Sequence, residues 1–143
     1  MKAILKEALK NSMKSQDRLK TETIRSLLSE IQYEEMQRQV NELAPADCAI
    51  VLQRELKKRN EAIPFEEQAN RPEAKAKLLA EVAIIEEFLP KQMSASALED
   101  LLNTYKSSTA GASMSTAMKF LKENYAGQYD GKSASEIAKR VFA

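Results

Sequence analysis

The stretch Glu86-Glu87-Phe88-Leu89-Pro90-Lys91-Gln92-Met93-Ser94 constrains this chain more than any other. Proline at position 90 disfavours the α conformation at Leu89 and has no N–H for an i→i−4 bond, so a helix arriving here stops. Ser94 or Ser96 can start the next one, and Ser96 with Glu99 has capping-box spacing. Ahead of the joint the chain is densely charged and patterned as long helices. Beyond it, short helical patterns alternate with loops that hold all three glycines. The pattern predicts an all-α protein: an N-terminal hairpin-type unit of about four helices over residues 1–90, then a small three-helix unit over 91–143.

Upstream, the first predicted helix covers residues 1–14, with Ile4, Leu5, Ala8, Leu9 and Met13 on one face and Lys2, Lys6, Lys10 and Lys14 on another. A basic amphipathic start suits a membrane-surface helix or a transit peptide as well as a core-facing helix. Glu7, Asp17 and the helix that follows directly favour the core-facing reading. Asp17 is placed to cap a second helix reaching about Val40, with a core stripe of Ile24, Leu27, Leu28 and Ile31 that Tyr33, Met36 and Val40 continue at a shifted angle. Pro45 suits the first position of a third helix. Pro64 predicts a kink or an end near Ile63, because proline inside a helix costs about 3 kcal/mol. A fourth helix spans Glu73–Leu89. Downstream, Leu98, Leu101, Leu102 and Tyr105, then Met114, Ala117, Met118, Leu121 and Tyr125, then Ala134, Ile137, Ala138 and Val141 form three stripes. They can bury one another.

Composition narrows the chemistry. There is no histidine, which removes imidazole acid–base work and the common zinc sites together. The single cysteine, Cys48, shares a helical stripe with Val51, Leu52 and Leu56, reads as a buried thiol, and suits a cytoplasmic compartment. No run has the length of a membrane span. No nucleophile can be paired with a base, so no catalytic residue, metal set or cofactor is expected. The net charge of +1 argues against strong non-specific attraction to polyanions, although residues 91–143 carry seven Lys/Arg against five Asp/Glu.

The bend from Gly127 to Ser133 is the best candidate for ligand chemistry. Gly127 and Gly131 allow positive φ, so the backbone can turn sharply and present its N–H groups. A helix N-terminus at Ser133, capped in the Ser133–Glu136 spacing, attracts anions, and Lys132 stands beside it. That set fits a single phosphate; a plain turn with Asp130 bonding the backbone N–H groups fits the same residues. Lys139 lies one heptad beyond Lys132 on the same face, and Lys119 and Lys122 add charge on the preceding helix. Phe120 lies off its helix's core stripe and is expected to touch the N-terminal helices, a partner protein or a stacked base; Phe142 poses the same question. Lys57-Lys58-Arg59 and the carboxylate pairs Glu34-Glu35, Glu66-Glu67 and Glu86-Glu87 read as solvated helix charge, since adjacent side chains splay about 100° apart.

Phe88-Leu89-Pro90-x-Gln92-Met93-Ser94 resembles the joint of the YqeY family, and Tyr125-x-Gly127-x-Tyr129-Asp130-Gly131-Lys132 resembles its C-terminal segment. Leu52-Gln53-x-Glu55-Leu56-Lys57-Lys58-Arg59 is similar to its third helix. The resemblance implies a two-part helical protein akin to the tail of the B subunit of the glutamine-dependent aminoacyl-tRNA amidotransferase. It implies a tRNA-binding or tRNA-adaptor module, partnered by tRNA and by an aminoacyl-tRNA synthetase or amidotransferase. Carbon–nitrogen ligase chemistry with glutamine as amido donor would lie in other domains of that enzyme. Glu123, Asn124, Ala126 and Gln128 stand where the family usually carries cations and a proline, Ser115 where it has glycine, and Ala44-Pro45 where it has Thr-Asp.

Overall fold

The computed structural model describes residues 1–143 and contains seven helices and no strand. These are α1 (Lys2–Lys14), α2 (Arg18–Arg38), α3 (Pro45–Gln68), α4 (Pro72–Glu86), α5 (Ala95–Ser108), α6 (Met114–Asn124) and α7 (Gly131–Val141). The chain divides into two compact units, Met1–Leu89 and Pro90–Ala143.

In the larger unit α1 packs on α2 and α3 on α4, and α2 also lies against α3 and α4. Leu5, Ile24, Leu27, Ile31, Leu43, Cys48, Val51, Leu52 and Ile85 form its core. Burying one such side chain is worth about 1.5–3 kcal/mol, which is what holds a set of individually marginal helices together. Asp17 caps α2 as its position predicts, accepting from the Lys20 N–H. Pro45 opens α3 and Pro72 opens α4, where the absent N–H costs nothing. Cys48 is buried, its thiol 3.8 Å from the Leu43 carbonyl, and burial pushes its pKa up.

Four expectations change. First, of the kink or end that Pro64 predicts, the end does not occur: α3 runs through Pro64 to Gln68. Asn60, whose carbonyl loses its donor, and Pro64 are both exposed, so water can reach that carbonyl. Second, Tyr33, Met36 and Val40 are 56%, 69% and 43% exposed: Tyr33 is turned about 200° from the buried Ile31 and Glu35, while Met36 and Val40 follow Glu35, opposite which α1 begins. Ile4 and Met13 likewise flank the α1 core face and stay exposed, while Ser12 turns inward and hydrogen-bonds Thr21 at 2.9 Å. Third, Glu35 is interior rather than surface charge, only 5% exposed. Its carboxylate takes the Lys2 ammonium at 2.9 Å and the Leu43 N–H at 2.9 Å, joining the start of α1 to the turn before α3. Fourth, Arg59 is mostly buried, bridging Glu55 on its own helix to Glu81 on α4 at 3.2 and 2.8 Å, so only part of Lys57-Lys58-Arg59 is a solvated face.

In the smaller unit α7 packs against both α5 and α6. Leu98, Leu102, Ala117, Leu121, Ala134, Ile137, Ala138 and Val141 form a separate core drawn from the three stripes that the spacing predicts. Ser94 caps α5, accepting from Ala97, and Ser113 caps α6 in a capping box with Thr116.

Leu27→Ala is expected to lower unfolding stability of the larger unit by about 2–5 kcal/mol in urea titrations, since it empties a fully buried site. A loss below 0.5 kcal/mol would contradict the core described. The Lys2 hydrogen bond first, and then the Leu43 N–H, hold the Glu35 carboxyl below its ordinary pKa. A folded-state value below the unfolded one stabilises at neutral pH, and that stabilisation is lost as pH falls through the folded value. Glu35→Gln should therefore lower the melting temperature at pH 7, with the gap to the parent protein closing as pH falls through and below the carboxylate range. An equal gap at every pH refutes the assignment.

Candidate functional site

The bend before α7 is built from both sides of the smaller unit. Gly127 is buried with φ of +80°, a left-handed conformation that glycine adopts without steric penalty. Its carbonyl accepts the Gln92 side-chain amide, and the carbonyl of Gln128 accepts the Met93 N–H at 2.7 Å. The two motifs that the sequence holds 35 residues apart, Gln92-Met93 and Gly127-Gln128, thus meet as a pair of hydrogen bonds. Tyr129 adjoins this tie and its pKa is raised by burial. From sequence alone the joint reads as a helix stop, a division between two units and a family-like motif, without this contact. The polar Gln92 after a proline, in a segment with no helix of its own, was the available signal.

The helix itself starts earlier than its serine suggests. Asp130, not Ser133, is the N-cap of α7: its carboxylate accepts the Ser133 N–H at 3.1 Å and the Ser133 hydroxyl at 3.0 Å. Aspartate is preferred over serine at this position when its charge meets the helix dipole. Gly131 is the first helical residue and lacks positive φ; a β-carbon there would meet open space. A negative carboxylate therefore already occupies the amide that a phosphate would use. What the bend turns outward is the exposed Lys132.

The other predicted cations are also exposed. Lys139 shares the α7 face with Lys132, and Glu136 stands one turn from each of them. Lys119 lies 3.9 Å from Glu123, and Arg140 pairs with Glu99 at 3.2 Å. Lys122 is exposed on α6. Much of the small positive excess of this unit is therefore screened at short range.

Phe120 joins the packing of its own unit, which its place off the α6 stripe does not predict. It stacks on Tyr105 at 4.6 Å with a 20° interplanar angle and meets Tyr125 edge-on at 5.8 Å, so its contacts lie inside its own unit. Such pairs add about 0.5–1.5 kcal/mol beyond area burial. The helical wheel missed this because α5 approaches α6 on the Phe120 side. Phe142 packs against the same core with the Lys106 ammonium 5.8 Å above its ring, and Lys106 also donates to the Val141 carbonyl at 2.9 Å.

This is an all-helical protein whose smaller unit is closed by a tie between a post-proline segment and a glycine bend. Over residues 2–142 the chain matches the family described as Yqey-like protein, and it belongs to the YqeY family. No curated protein matches the chain.

Gly127→Ala should destabilise the smaller unit by about 1–2 kcal/mol, the cost of a β-carbon in the left-handed region. Gly131→Ala should be neutral or stabilising, since alanine is the better helix former and has room. Amide hydrogen exchange at Leu121 and Ile137 separates the two substitutions. Equal effects would mean that the bend does not depend on Gly127.

Proposed function

We propose that the protein is a tRNA-binding or tRNA-adaptor module without catalytic residues of its own, working in the cytoplasm beside an aminoacyl-tRNA synthetase or amidotransferase. Family membership supports this reading through the kinship that the motifs imply with the amidotransferase tail. The observation that carries it is that Lys119, Lys122, Lys132 and Lys139 all extend to the surface of the small unit, none of them drawn into its core. The phosphate contact is made by these side chains rather than by bare amides at the bend, because Asp130 already caps α7. Contacts of this kind position a nucleic acid without reading its sequence. A protein-only role gains less support, because Phe120 and Phe142 are engaged within their own unit. No helix is long and apolar enough to cross a membrane.

Filter binding of unfractionated tRNA at low salt tests the reading. Retention should fall steeply with salt, and the Lys132→Ala/Lys139→Ala double variant should bind more weakly with a log–log salt slope shallower by about 1.4. If no tRNA is retained at 20–50 mM salt, the proposal is wrong.

A further inference from the structure

A second group of exposed cations lies in the larger unit. On the α1–α2 hairpin, Lys2 pairs with Glu35, Arg18 with Glu22, Lys20 with Glu87 and Arg38 with Glu34. Lys6, Lys10, Lys14 and Arg25 make no ion pair. Arg25 leans across to α1, its guanidinium 3.8 Å from the Met13 sulfur. Lys6 and Lys10 are one turn apart, about 6 Å along the helix. The acids without an ion pair on the two helices, Glu7 and Glu30, are turned about 100° from Lys6 and about 140° from Arg25 by helical spacing. Glu7 stands one turn before Lys10, and Glu42 lines a cleft together with Lys6, but neither forms an ion pair with these cations.

Beside them runs a groove of about 420 Å³, into which Lys6 projects together with Gln32, Met36, Val40 and Asn41. Its floor is the closed Lys2–Glu35 pair, whose charges cancel. Met36 on α2 and Val40 just beyond its end are exposed apolar residues, and Tyr33 stands one turn before Met36, more than half exposed. Lys6 at the groove, Lys10 and Arg25 exposed beyond it, two side-chain amides and an exposed phenol near apolar surface are complementary to one kind of occupant. It fits a single strand of RNA, whose phosphates take the cations while unstacked bases take the aromatic and apolar surface and hydrogen-bond to the amides. An anionic membrane fits poorly, because the outer side of α1 carries Lys6, Lys10, Lys14 and Glu7 rather than an apolar row able to sink below the headgroups.

The geometry points to the α1–α2 groove as a single-stranded RNA contact, with Lys6, Lys10 and Arg25 on phosphates and Tyr33 stacked on a base. This rests on the RNA reading above and moves its main contact from the smaller unit to the larger one.

Fluorescence anisotropy of a labelled 12-nucleotide single-stranded RNA, and of tRNA, tests it across a salt series. The parent should bind both. The Lys6→Gln/Lys10→Gln/Arg25→Gln variant should lose at least tenfold in affinity at low salt, with a slope shallower by about 2. Tyr33→Ala should weaken binding several-fold and Tyr33→Phe should restore it, because stacking needs the ring and not the hydroxyl. Helical circular dichroism should be unchanged in all of them, since each substituted side chain is exposed; any variant that unfolds is replaced by Lys10→Gln alone, expected to lose a smaller but measurable share. If the triple variant binds like the parent while Lys132→Gln/Lys139→Gln loses binding, the groove is not the contact, although the RNA reading stands. If the parent binds neither RNA, both readings fall. If phosphatidylserine vesicles bind the parent, the triple variant loses them and RNA binding is unmoved, the groove serves a membrane and the inference is overturned.

Discussion

A helix of about a dozen residues with one apolar stripe does not persist alone in water, and that constraint governs both units. α6 and α7, at 11 residues each, depend on each other and on α5 to remain helical. The longer α2 and α3 reach further but still need Leu5 and Ile85 from their neighbours to complete a core. Within each unit the helices are therefore mutually dependent. The two cores share no residue.

Polar side chains close these cores where apolar packing cannot. Glu35 joins α1 to the turn before α3, and Arg59 bridges α3 to α4. Gln92 and the Met93 N–H hold the bend, and Asp130 caps α7. Breaking a buried pair by removing one partner leaves the other charge desolvated, which is why such contacts specify one arrangement even when their net stabilisation is small. They also determine where charge remains for a ligand. Cations that fasten the fold are neutralised in place, whereas Lys6, Lys10 and Arg25 are exposed and make no ion pair.

Function follows from that division. At the bend that looked like an anion cradle the Ser133 N–H is taken by Asp130, while the lysine stripe of α1 borders a groove within the larger unit. Phosphate attraction is additive over cations within reach and falls with each nearby carboxylate. The spacing of acids around the lysines therefore matters more than their number.

From the amino-acid order alone came much of what depends on near neighbours, although Asp130 rather than Ser133 caps α7. The 3.6-residue stripes mark seven helices, Asp17 and the prolines at 45 and 72 mark starts, and Pro90 marks the division. These are interactions within a turn or two, written in adjacent letters. Tertiary structure decided which of Glu34 and Glu35 is buried, that α3 tolerates Pro64, that Phe120 meets Tyr105, and that Gln92 reaches Gly127. Each depends on a partner more than a dozen residues away or on which side of a helix water reaches. Helical periodicity fixes the angle of a side chain about its own axis, but only packing decides what stands at that angle.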